Sequence, residues 1–236
     1  MIKIEDVEVV GIRKAIKGMR NAMNSWEKRD SSLLFCHEII CALCPYESLD
    51  SIECDNKSHF IIGEKDMKLA KRLIKAGSSD RKFMRMIHVQ FDISAPETFL
   101  MQLDTYKVGT VSNSTSKMHT IHKRDLTVND FSHEHTPAEE FQPIVDRLNE
   151  LRNFYITSNN KAYWNALIEQ LPMSFMQRRT MDMNYETLFN IYHQRKHHKL
   201  NDWHTFCDWI ETLPYMKEFL GLGEQTEKGR ENDKEV

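Results

Sequence analysis

From Phe83 to Ile93 the chain reads Phe-Met-Arg-Met-Ile-His-Val-Gln-Phe-Asp-Ile, with Phe83, Ile87, Val89, Phe91 and Ile93 apolar at a period of two. Successive side chains of a strand point to opposite faces, so this pattern predicts a β-strand over residues 83–93 with one face buried. Arg85 is the single break in the alternation, and Pro96 ends the run. Residues 2–10 alternate more loosely through Ile2, Ile4, Val7 and Val9 and read as a second strand, with Gly11 after it.

Elsewhere the period is helical. Ile12 to Trp26 carries a helical pattern. In Asp66 to Ala76, Met67, Ala70, Leu73 and Ile74 form an apolar stripe, and Gly77 is a C-cap. Glu97 to Leu103 begins another helix. From Pro137 onward, Ile144, Leu148, Leu151, Phe154 and Tyr155 form one stripe, and Trp164, Leu167, Ile168 and Leu171 a second. Asn184–Lys199 and Asn201–Thr212 read as two further helices. Residues 27–60 are irregular, 110–120 are rich in Ser, Thr and Asn, 127–136 read as a loop, and 223–236 are polar enough to predict a disordered tail. The expected organisation is one α+β domain over residues 1–222 with an irregular Cys-containing insertion at 27–60.

At 236 residues the chain has enough length to bury a substantial core. Its formal charge of −3 gives no overall attraction to nucleic acid or to an acidic membrane, so an anion site has to be a local basic cluster. No apolar run reaches the roughly 20 residues of a membrane span, and the acidic start Met1-Ile2-Lys3-Ile4-Glu5-Asp6 lacks the apolar core of a signal peptide. The expectation is a cytoplasmic protein that partners neither membrane nor nucleic acid. Five cysteines in a chain of this size do not read as a disulfide framework. Cys36, Cys41, Cys44 and Cys54, with His37 and His59 nearby, offer enough ligands for tetrahedral zinc, but the irregular spacing and the residue type fit buried core thiols as well; the expectation is no metal.

The C-terminal half carries the chemistry. On a helix, Asn184, Leu188, Ile191 and Arg195 fall within about 60° of one another, so an Asn and an Arg share an otherwise apolar stripe. A guanidinium there meets an anion, pairs with a core carboxylate, or closes the helix dipole at its C-terminal end. Residues 104–124 gather Lys107, Lys117, His119, His122, Lys123 and Arg124 around Thr110, Ser112, Ser114, Thr115 and Ser116. That is the composition of a phosphate cradle, and equally of a polar loop with a solvated basic face. Gln177-Arg178-Arg179 and the run from His193 to Lys199 add two more basic clusters.

The run Met183-Asn184-Tyr185-Glu186-Thr187-Leu188-Phe189-Asn190-Ile191-Tyr192-His193-Gln194-Arg195, followed by Trp203, resembles the C-terminal signature of the flavin-dependent thymidylate synthases, N-x-R-S-L-x-N-F-L-x-L-R and then a tryptophan. Asn184, Leu188, Asn190 and Arg195 match it without a gap. Upstream, Tyr106 to His119 overlays the family hallmark R-H-R-x-x-S-x-N-E-x-S-x-R-Y, with Asn113 and Ser116 matching and Lys107 keeping a cation at the His position. Tyr106, Val108, Ser114 and Met118 stand where the hallmark has charged groups.

The resemblance implies a thymidylate synthase-complementing-protein-like fold: a central antiparallel or mixed sheet flanked by helices, with a helical C-terminal half. It implies that Asn184, Asn190 and His198 hold FAD. Arg195, Lys107, Asn113, Ser114 and Ser116 would bind a pyrimidine nucleotide, with Ser116 beside the uracil as the catalytic candidate. It further implies a homotetramer that transfers a one-carbon unit from methylenetetrahydrofolate to C5 of dUMP or a related nucleotide, with NADPH as reductant. The missing Arg-His-Arg supports an alternative, a nucleotide-binding module on the same fold without flavin. A third reading, a zinc-dependent nucleic-acid-binding protein, needs the cysteines and the basic runs to lie together.

Overall fold

A computed structural model describes residues 2–35 and 58–222. Cys36, Cys41, Cys44, Cys54 and His37, and the tail 223–236, lie outside the described residues. The architecture is mixed α and β, with an antiparallel sheet and helices, as the α+β reading expects. The elements in chain order are β1 (Lys3–Val10), α1 (Ile12–Gly18), β2 (Ser32–Phe35), β3 (Ser58–Ile61), α2 (Glu64–Ala76), β4 (His88–Pro96), α3 (Glu97–Leu103), β5 (Thr110–Ser114), α4 (Lys117–Thr120), α5 (Ala138–Ser158), α6 (Lys161–Glu169), β6 (Met176–Asn184), α7 (Tyr185–Arg195), α8 (Asn201–Thr212) and α9 (Met216–Leu220). Four strands pair in the order β1-β4-β6-β5, and β2 pairs antiparallel with β3 in register Ser32 to Ile61. Among the described residues no helix is long and apolar enough to cross a membrane.

The chain divides into two compact units. One comprises residues 1–5, 92–107 and 111–181. Its helical core packs α5 on α6 through Phe141, Val145, Leu148, Leu151 and Leu167, with Ile121, Leu126 and Phe131 closing one side. The buried stripe of α5 is therefore rotated from the one read in the sequence, and Ile144 and Phe154 face solvent. In the same unit β4 and α3 bury Ile93, Ala95, Phe99, Leu100 and Leu103.

The other unit comprises residues 6–91, 108–110 and 182–236. Its core holds Ile12, Ala15 and Ile16 of α1, Val89 and Phe91 of β4, Leu188 and Ile191 of α7, and Trp203, Phe206 and Ile210 of α8. Phe83 and Tyr185 both meet Phe219 edge-on, at 5.9 and 6.4 Å between ring centroids. Asp66 of α2 is fully buried and is held by the Arg20 Nε at 2.6 Å and by the Ser31 amide at 3.1 Å. Asp30 caps α2 by accepting from the amides of Lys65 and Asp66 at 2.8 and 3.0 Å. The region read as irregular thus has ordered ends, a hairpin base tied to α2.

Three elements differ from the sequence reading. Residues 81–86 form a 3₁₀ turn, and the strand starts only at His88. The adjacent Phe83 and Met84 are both buried, which one face of a strand does not allow, and Arg85 turns to a carboxylate on α7. The Ile12–Trp26 pattern yields a helix only as far as Gly18, then two short 3₁₀ turns. Met176–Asn184 is a strand that pairs with β4 and β5, although its sequence Met-Gln-Arg-Arg-Thr-Met-Asp-Met-Asn reads as a basic loop. Its charges are neutralised within their own unit. Arg178 donates to Asp92 at 2.6 Å and Arg179 to Asp104 Oδ1 at 2.5 Å.

Candidate nucleotide site

Helix α7 opens at Asn184, whose side chain accepts from the Thr187 amide at 2.9 Å and from the Thr187 hydroxyl at 3.1 Å. An N-cap of this type satisfies one of the unpaired amides of a first helical turn. The Asn184 amide donates to the Gly109 carbonyl at 3.0 Å, and the Thr187 hydroxyl donates to the Val108 carbonyl at 2.7 Å. Gly109 has φ +68°, and a Cβ there would stand 1.9 Å from Asn184 Nδ2. Only glycine permits both the left-handed backbone and the close approach. Asn184 is thus a buried structural residue that fixes the 108–110 turn against α7.

Two residues further on, Glu186 is 7% exposed and stands where the family signature has an Arg. It accepts from Ser78 Oγ at 2.7 Å, from Arg81 Nε at 3.1 Å and from Arg85 Nε. Burial by itself would raise its pKa, but hydrogen bonds from Arg85, Ser78 and Arg81 together hold it below the ordinary carboxylate value. Arg81 also donates to Asn190 Oδ1 at 2.9 Å and lies over the Phe189 ring, 4.8 Å from its centroid. The sequence reading did not single out this cluster; its one signal was the break at Arg85 in the period-two run.

Arg195 ends α7, and its guanidinium lies 4.9 Å from the centroid of the buried Trp203 ring. Cation–π stacking of this kind holds the planar group in one orientation. His198 meets the same indole edge-on at 6.2 Å, and its Nδ1 accepts from the Leu200 amide at 3.1 Å. Burial, then Arg195 and His204, lower the His198 pKa, which favours the neutral ring. With Nδ1 accepting, the proton of that ring sits on Nε2, and Nε2–H is a donor. Arg195, His198 and Trp203 therefore form one assembled cluster.

The other sequence-derived candidates lie in the unit of residues 1–5, 92–107 and 111–181. Lys107 is exposed, as are Asn113 and Ser114 on β5, while Ser116 is half-buried just before α4 and its hydroxyl makes no capping bond. The neighbouring Gln177 donates to the Thr115 carbonyl at 2.7 Å, and the Thr115 amide donates to the Arg178 carbonyl at 3.0 Å, fixing the segment between Ser114 and Ser116. Of the basic residues around it, Lys117 pairs with Glu97 and Arg124 with Asp130. Lys107 and Lys123 make no ion pair among the described residues.

The residues expected to hold flavin fit it unequally. The Asn184 carbonyl oxygen is spent on Thr187, and its amide nitrogen is pressed on Gly109. Asn190 gives its oxygen to Arg81, and its amide nitrogen makes no hydrogen bond among the described residues. His198 offers Nε2–H. The side-chain amide nitrogens of Asn184 and Asn190 and the Nε2–H of His198 remain as donors, that of Asn184 crowded by Gly109. Among the described residues no group of three His, Cys, Asp or Glu side chains is placed to hold a metal.

No family model matches the chain, and no curated protein does. Solved structures do. Thymidylate synthase X from Helicobacter pylori, crystallised with FAD and dUMP, superposes with a TM-score of 0.66 at 15% identity, covering 93% of this chain and 97% of that one. A second structure of the flavin-dependent enzyme from Helicobacter pylori, also complexed with FAD and dUMP, gives 0.65 at 15% identity, covering 92% and 97%. The UMP/dUMP methylase PolB from Streptomyces cacaoi, bound with 5-Br dUMP, gives 0.57 at 12% identity, covering 94% and 96%. At these identities the likeness is one of fold, and it runs nearly end to end: this chain has the thymidylate synthase X fold.

Proposed function

We propose that the protein is a cytoplasmic, homotetrameric enzyme that binds dUMP or a related pyrimidine nucleotide and methylates it at C5, with FAD as cofactor and methylenetetrahydrofolate and NADPH as co-substrates. The observation that carries this reading is the fold likeness over more than nine-tenths of the chain to a synthase crystallised with FAD and dUMP and to a UMP/dUMP methylase. In this reading Arg195, pre-oriented on Trp203, takes an anionic edge of the nucleotide through its planar fork. Lys107 adds positive charge, Asn113 and Ser114 supply hydrogen bonds, and Ser116 lies beside the pyrimidine. Asn190 and His198 would hold the flavin through their remaining donors, while Asn184 acts through the turn it fixes. The flavin, when bound, supplies the hydride chemistry, and the protein supplies orientation and electrostatics.

A specific observation supports a second reading. The side-chain oxygens of Asn184 and Asn190 are engaged by the protein itself, and the signature Arg is replaced by the buried Glu186. That pattern fits a nucleotide-binding protein on the same fold that no longer carries flavin. Visible absorbance after incubation with FAD, together with calorimetric titration of dUMP, separates the two. A flavin band with dUMP binding supports the enzyme; dUMP binding without flavin uptake supports the module; neither overturns both.

A further inference from the structure

We propose that the unit built from residues 6–91, 108–110 and 182–236 carries a second ligand site, a basic cleft that takes a phosphorylated base such as a nucleoside triphosphate. The cleft has a volume of about 1030 Å³, and none of Lys107, Ser116, Asn190, Arg195 or His198 lines it. Small-molecule sites commonly occupy roughly 300–1,000 Å³, so the space takes a nucleotide-sized ligand. The inference is independent of the reading proposed above.

The lining pairs two kinds of chemistry. Lys14 and Lys17 come from one face of α1, three residues apart, and Lys82 from the 81–86 turn. The three make no ion pair among the described residues. Among the described residues that line the cleft Asp80 is the only acidic side chain, so three cations against one anion leave these residues a net charge of +2. Such a lining attracts a polyphosphate in a chain whose overall charge is −3.

Trp26 also lines the cleft and is 48% exposed, although tryptophan is a residue that proteins mostly bury. Its indole N–H donates to Asn21 Oδ1 at 2.8 Å. That bond satisfies the ring's polar atom and fixes its orientation, leaving an apolar π-face for stacking. Lysines beside a fixed, exposed indole are the pairing by which proteins hold a base and its phosphates together. A solvated lysine face needs no such ring. Free nucleotides and single-stranded nucleic acid present the same phosphorylated base, so the test includes both.

Full-length protein is titrated with ATP, with a ten-residue oligothymidylate and with inorganic tripolyphosphate, following tryptophan fluorescence and calorimetric heat. ATP is expected to bind saturably and to change the Trp26 emission, with tripolyphosphate weaker and spectrally silent. The double variant Lys14→Glu/Lys17→Glu should weaken ATP binding at least about tenfold. Trp26→Ala should weaken it and abolish the spectral change, while Lys161→Glu and Arg195→Ala, neither of which lines the cleft, leave it intact. Thermal melting checks that each variant folds. Oligothymidylate binding more tightly than ATP, with the same loss in the variants, keeps the site and names a strand as the source. No saturable binding of either ligand, equal affinity in the double variant, or tripolyphosphate matching ATP without a spectral change overturns the proposal.

Discussion

At the scale of single residues, Arg195 and Glu186 show how a charge on an apolar helix face is accommodated in two ways. Arg195 sits at the C-terminal end of α7 over an aromatic face, where the helix dipole and the indole both favour a cation. If it meets the nucleotide, Arg195→Ala should weaken dUMP binding by about ten- to a hundredfold, since a charge-assisted hydrogen bond contributes roughly 1.5–3 kcal/mol. Arg195→Lys should recover only part, because an ammonium lacks the planar fork. Calorimetric titration of the three proteins checks this, and equal affinities would leave Arg195 a purely structural residue. Glu186 is buried and answered by two arginines. Glu186→Gln should cost about 2–4 kcal/mol, somewhat below the usual cost of breaking a fully buried pair because Arg85 is half exposed. The folded carboxyl titrates below its ordinary 4.5, so its stabilisation is complete above that value and is lost as pH falls through the lower folded value. Urea unfolding from pH 7 down to pH 3 should therefore show a gentler acid loss in Glu186→Gln than in the wild type.

At the scale of elements, the decisive joint is between the start of α7 and the 108–110 turn. Asn184→Ala removes the cap and should cost about 1 kcal/mol. Gly109→Ala adds a left-handed alanine, at roughly 1–2 kcal/mol, and drives its methyl into the Asn184 amide. The double variant should be more stable than the sum of the two single losses implies, because removing the amide relieves the clash but not the backbone strain. Strictly additive denaturation energies would show that the two residues do not meet. The same joint explains part of what the sequence hid. The start of α7 at Asn184 and the Arg at its end were readable from local pattern. The strand feeding α7 was not, because Arg178 and Arg179 look like loop residues until Asp92 and Asp104, some 75 to 86 positions away, neutralise them.

At the scale of the whole molecule, the fold likeness to thymidylate synthase X spans almost the full chain at 15% identity. The enzyme reading predicts a homotetramer by light scattering and a yellow protein after incubation with FAD, with Asn190→Ala and a substitution that removes His198 Nε2–H, such as His198→Phe, each lowering flavin occupancy. A monomer that takes up no flavin yet binds dUMP would select the module instead.

The sequence by itself determined the mixed α and β character, most of the helices and the positions of two strands, because period and capping are written in neighbouring residues. The end of the clearest strand at Pro96, followed directly by α3, was legible for the same reason. Tertiary structure alone decided three matters. It turned residues 81–86 from strand to 3₁₀ turn, since Phe83 and Met84 are buried together. It drew β6 into the sheet by pairing its charges with distant carboxylates. It also set Asn184 against the Gly109 turn and committed the Asn190 oxygen to Arg81, so that the matched asparagines support the protein's own framework. Local pattern fixes which way a side chain points along its own element; what it meets there depends on partners brought from far along the chain, and those contacts exist only in the folded state.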